Sequence, residues 1–116
     1  MSKGLTIVSH QEEWVKIIDL AGEITTADEM LQEQILPQGS EIKALVFNFA
    51  GVDYINSAGI SLLIRVVRQA REKSVAALGY GLSDHYHKIF QMVGLNSYLY
   101  LYPNETAALA AAGLIR

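Results

Sequence analysis

Cysteine is absent from the 116 residues, so neither disulfides nor thiolate metal ligands hold this chain together. A reducing compartment is compatible with that. Basic excess is absent too: nine Lys and Arg stand against twelve Asp and Glu, a formal net charge of −3. Without a phosphate-neutralising surplus, no nucleic-acid partner is expected. No uninterrupted apolar run approaches the roughly 20 residues of a spanning helix. The start, MSKGLTIVSHQEEW, carries no apolar stretch long enough for a signal peptide. These absences lead to the expectation of a cytoplasmic protein with no membrane partner.

What is present suits one packed domain over residues 1–116. The chain is 51% hydrophobic and 18% charged with two prolines, and its length lies near the commonest domain size. Such a chain buries about two-thirds of its unfolded surface.

LTIVSH (5–10) and VKIIDLAG (15–22) are rich in β-branched residues and flank the polar QEEW, which predicts a hairpin. Trp14 opens its second strand as a packing residue. Thr25 or Thr26 is the expected cap of a helix with Ala27, Met30, Leu31 and Ile35 on its apolar side. Asp28 and Glu29 fall in its first turn, and Pro37 and Gly39 close it. IKALVFNFAGV (42–52) reads as a central strand covered on one or both faces. Ile60, Leu63, Ile64, Val67 and Arg71 then recur at helical spacing, with Ser61, Arg65, Arg68, Gln69 and Glu72 opposite.

SVAALGYG (74–81) is a further strand. LSDHYHKIFQMVG gives a short helix, capped by Ser83 or Asp84 and stopped at Gly94. YLYLY (98–102) alternates, which puts three tyrosines on one face and two leucines on the other. After Pro103, Asn104 caps a last helix. The order is β-β-α-β-α-β-α-β-α: an α/β fold with a mixed sheet of four to five strands and about four helices. No heptad or other assembly signature points to an oligomeric state.

Ser57, in YINSAGISLL, is the hydroxyl that invites chemistry. A nucleophile elbow needs G-x-S-x-G, but Ile55 occupies the first glycine position and no histidine is tied to the serine. A small serine hydrolase therefore ranks last, and no enzyme is expected. Asn56 or Ser57 can cap the following helix. A hydroxyl at a helix start is also a favourable place for a phosphate, because free N–H groups and the dipole both stabilise a dianion.

GYGLSD lacks the third glycine of a phosphate loop and has Asp84 in its place. In DHYH, His85 and His87 sit two apart on a helix, facing away from a common metal, so no metal is expected. Arg65, Arg68 and Arg71 make a basic edge, either a solvated face or a docking surface for an acidic partner.

LVFNFAGVDYINSAGISLL resembles the strand, loop and helix segment of the STAS domain family, in its anti-sigma factor antagonist branch. That segment commonly reads L-x-L-D-h-S-x-h-x-x-h-D-S-[ST]-G-h, with h apolar. LGYGLSDHYHKIFQMVGLNSYLYLYPNETAAL resembles the family's later portion, so the likeness spans most of the chain. It implies a STAS-like fold and a non-enzymatic, cofactor-free partner switch. Ser57 falls on the phosphoacceptor position and Gly59 on the family glycine, while Ala58 replaces a frequent second hydroxyl. The implied partners are an anti-sigma factor with serine kinase activity, bound when Ser57 is unmodified, and a serine phosphatase. The implied partner-binding set is Thr25, Asn56, Ser57, Ala58, Gly59, Ser61, Arg65 and Arg68. Asn48, Asn56 and Thr25 stand where the family commonly has aspartates, which supports an alternative: a STAS scaffold or regulatory domain that is never phosphorylated.

Overall fold

The computed structural model describes residues 4–26, 29–36 and 41–114. Five strands form one sheet in the order β1-β2-β3-β4-β5. They are β1 (Leu5–Glu12), β2 (Val15–Ile24), β3 (Ala44–Ile55), β4 (Ala76–Tyr80) and β5 (Leu99–Tyr102). The helices are α1 (Glu29–Ile35), α2 (Ser57–Glu72), α3 (Asp84–Met92) and α4 (Glu105–Ala111), with a 3-10 turn at Leu95–Ser97. β1 pairs antiparallel with β2, as a hairpin must. The other pairings are parallel, joined through helices. The mixed α/β sheet and its four helices are the architecture expected from the sequence.

Strand alternation sends side chains to two cores. Ile18, Leu20, Leu45, Phe47 and Phe49 pack under Ile35, Leu62, Leu63, Val66, Val67, Tyr86 and Phe90 of α1 to α3. Val15, Ile17, Ala44, Val46 and Leu78 point the other way, onto Ala108 and Leu109 of α4. β3 is thus covered on both faces, which explains its nearly unbroken apolar run. Trp14 packs against the smaller core and donates from Nε1 to the Ala112 carbonyl at 2.9 Å.

Two expectations need correction. The buried face of α2 consists of Gly59, Leu62, Leu63, Val66, Val67 and Ala70, whereas Ile60 and Ile64 lie at its half-buried margin and Arg71 is exposed. The stripe is centred about one residue away because Leu62 and Val66, flanked by small Gly59 and Ala70, face the sheet in place of Ile60 and Ile64. Tyr98 is not on the face of Tyr102. It precedes β5 and packs with Leu99 and Leu101 against the larger core, because strand alternation starts only at Leu99. The described part of α1 runs from Glu29, and the cap expected at Thr25 or Thr26 would meet it through residues that lie outside the described ones. Ala27, Asp28, Pro37 and Gly39 lie outside the described residues, as do the side chains of Glu29, Met30 and Leu31.

β3 outruns the sheet. Its pairing with β4 ends at Asn48–Tyr80, but its pairing with β2 continues to Ile24–Ile55, past register shifts. β1, β2 and β3 therefore continue past the end of β4, only the last pairs of β2 and β3 run beyond β1, and α2 starts from that tip.

Candidate functional site

At that tip, Asn56 is the N-cap of α2 in extended conformation, and its Oδ1 accepts from the Gly59 N–H at 2.9 Å. Ser57 is therefore the first helical residue, not the cap. The first backbone bond of the helix runs from the Ile60 N–H to the Asn56 carbonyl. This geometry leaves the N–H groups of Ser57 and Ala58 without intrahelical acceptors. No acidic side chain occupies the first turn, so the positive end of the helix dipole is uncompensated there.

Ile24 fixes this helix start to the sheet. Its carbonyl accepts from the Asn56 N–H at 3.2 Å, and it lies against the Cα of Gly59. Any side chain on Gly59 would collide with that carbonyl, so glycine is needed for close approach. Thr25, half-buried, follows Ile24 directly. Ile24 thus brings Thr25, Asn56 and Gly59 to one place. On the far side, the Tyr86 hydroxyl accepts from the Ile55 N–H at 2.9 Å and ties α3 to the same tip.

From Ser57 an exposed stripe runs along α2 through Ser61, Arg65 and Arg68, spaced to recur on one helix side. The Ser61 hydroxyl donates to the Ser57 carbonyl at 3.1 Å. The structure thus gathers the residues implied by the resemblance into one end and one stripe. Ile24 and Tyr86, which position them, were not singled out in the sequence. Ile24 ends an apolar strand like many others, and Tyr86 lies between two histidines with no local pattern that marks its contact.

Asn48 lies elsewhere. It sits in the body of β3, where its Nδ2 donates to Asp19 Oδ1 and its Oδ1 accepts from the Ala50 N–H, each at 2.9 Å. An aspartate could not donate to Asp19, so the amide at this position is matched to a carboxylate on the neighbouring strand.

Among the described residues, no group of three or more His, Cys, Asp or Glu could hold a metal. His85 is exposed and meets the Tyr86 ring edge-on, while His87 is half-buried. No helix among those residues is long and apolar enough to cross a membrane.

The model of the STAS domain family matches residues 6–108. No curated protein matches the sequence. Among solved structures, the unphosphorylated anti-sigma factor antagonist SpoIIAA superposes with a TM-score of 0.68 at 20% identity, over 96% of this chain and 100% of that one. The Bacillus protein is also solved in its phosphorylated form, with a TM-score of 0.65 at 18% identity, over 92% of this chain and 99% of that one. An anti-sigma factor antagonist from Mycobacterium paratuberculosis gives 0.71 at 22% identity, over 96% and 97%. The murine solute carrier 26 family member A9 anion transporter gives 0.75 at 16% identity, over 90% of this chain and 18% of the transporter. These likenesses establish a shared fold, which makes up nearly the whole of the regulators and about a fifth of the transporter. With its match over nearly the whole length and this topology, the chain belongs to the STAS domain family.

Proposed function

We propose that this chain is a single-domain, non-enzymatic partner-switching regulator of the anti-sigma factor antagonist kind, acting in the cytoplasm. Unmodified, it docks an anti-sigma factor with serine kinase activity through Thr25, Asn56, Ser57, Ala58 and Gly59, and along Ser61, Arg65 and Arg68. Phosphorylation of Ser57 ends that contact, and a serine phosphatase restores it.

The observation that carries this reading is the position of Ser57, exposed at the first residue of a 16-residue helix whose first turn holds no carboxylate. A phosphate there adds a charge of about −1.5 to −2 that the helix dipole and free N–H groups stabilise. The fold survives while the docking face changes its charge. The two known states of SpoIIAA support the reading by analogy. A second reading, a STAS scaffold without a phosphorylation cycle, draws on Asn56 and Thr25 at positions where the family resemblance implies aspartates.

The test is incubation with ATP and a co-purifying or genomically adjacent kinase, followed by intact mass and binding. The switch requires phosphate gain by the wild type but not Ser57→Ala, retained binding by Ser57→Ala, and weakened binding by Ser57→Asp. Equal binding by all three without mass gain overturns the switch in favour of the scaffold.

A further inference from the structure

In three helices a left-handed residue follows the C-cap, and in one of them it is not glycine. In α4, the Gly113 N–H donates to Ala110 and the Leu114 N–H to Leu109, with Gly113 left-handed at φ 85°. In α3, left-handed Gly94 follows the C-cap Val93. α2 closes with Ser74 N–H to the Arg71 carbonyl at 3.0 Å and Val75 N–H to Ala70 at 2.8 Å, the two bonds of a Schellman motif. Here the left-handed position is Ser74, at φ 60°. Glycine would be less strained there, yet the chain keeps a hydroxymethyl group.

Ser74 lines a cleft of about 240 Å³ at the C-terminal end of α2, together with Arg71, Ala76, Ser97, Tyr98 and Tyr100. The Arg71 guanidinium is 5.0 Å from the centre of the Tyr98 ring. That ring is half-buried against the larger core, so the cation rests on a fixed platform. A guanidinium held over a ring by its charge still offers its N–H donors to an acceptor. No residue lining the cleft carries a carboxylate. The negative end of the α2 dipole lies here and opposes an anion. Attraction therefore rests on the Arg71 charge and the Ser74 and Ser97 hydroxyls, while the carbonyls of Ala70 and Arg71 are turned into backbone bonds.

We infer that this cleft binds the oxyanion of a small molecule, a carboxylate or phosphate, with Arg71 as anchor and the Ser74 and Ser97 hydroxyls as donors. The volume suits a compact ligand of few heavy atoms. It lies about 21 Å along α2 from Ser57, at 1.5 Å per residue, so the site does not depend on the reading of Ser57.

The probes are sodium phosphate and sodium succinate, each titrated into the 15N-labelled full chain at ionic strength held with sodium chloride. Saturable shifts confined to Arg71, Ser74, Ser97 and Tyr98 with either probe support the site, and the better probe identifies the oxyanion. Arg71→Gln should weaken binding about tenfold or more, the usual effect of deleting a charge-assisted donor. Ser74→Gly should weaken binding without lowering the thermal midpoint, which separates ligand contact from folding. Non-saturating shifts, equal shifts at Arg65, Arg68 and Lys73, or unchanged affinity in both variants overturn the proposal.

Discussion

Gly59 and Ile24 are packed backbone against backbone: a β-carbon on Gly59 would lie 2.8 Å from the Ile24 carbonyl carbon and closer still to its oxygen. The same carbonyl accepts from the Asn56 N–H, so no movement relieves the collision without stretching that bond. Gly59→Ala should therefore cost at least the 1–3 kcal/mol typical of overpacking. Ser57→Ala, on an exposed position two residues earlier, should stay within about 0.5 kcal/mol of wild type. Urea unfolding of both variants checks the contrast.

The cap beside it gives a second expectation. Asn56→Ala removes the acceptor of the Gly59 N–H and should cost about 1 kcal/mol. Asn56→Asp keeps an acceptor and adds a negative charge at the positive end of α2, worth about 0.3–1 kcal/mol at neutral pH. The same charge would repel a phosphate on Ser57. Phosphorylation should therefore raise the thermal midpoint less, or lower it more, in Asn56→Asp than in wild type. Paired melts of modified and unmodified protein measure this.

Asn48 and Asp19 make a matched donor and acceptor across β2 and β3. Asn48→Asp would put two carboxylates in that contact, with an expected loss of about 1–3 kcal/mol at neutral pH. Their repulsion raises the native pKa of the pair, so the native state holds more protons than the unfolded one. Stability of the variant should then fall as pH rises above about 4, the unfolded aspartate value. Asp19→Asn in the same chain reverses donor and acceptor and should recover most of the loss. Denaturation of the single and double variants at pH 4 and pH 7 tests both points.

Much of this was legible in the sequence, because local rules and the tertiary fold agree there. Period-two runs, glycine stops and Asn or Ser caps placed every strand and helix in order, including Asn104 before α4. The face of α2 lies one step from the expected one because Leu62 and Val66 satisfy the same helical spacing as Ile60 and Ile64, and only packing on the sheet decides between two adjacent apolar rows. Tyr98 was misplaced because alternation in YLYLY reveals period but not where a strand begins. Ser57 could be found from its frame. The residues that hold it, Ile24 and Tyr86, act through a backbone carbonyl and a contact 31 residues away, which no local pattern encodes.

Lys16 supplies a pH-dependent term. Its Nζ donates to the Gln34 carbonyl at 2.8 Å and the Leu36 carbonyl at 3.4 Å, at the end of α1, whose last turn has no basic residue. Partial burial costs the ammonium hydration and lowers its pKa below the ordinary 10.5. A lysine with a depressed native pKa loses its proton from the folded state first, so the unfolded state binds more protons over that window. Stability from this group should therefore rise with pH, between the lowered native pKa and 10.5. Lys16→Arg keeps a cation that does not titrate there and should lack the increment. The stability difference, wild type minus Lys16→Arg, should shift toward the wild type as pH is raised from 8 to 10.5. A flat difference across that range would mean that the Lys16 ammonium is as well solvated folded as unfolded.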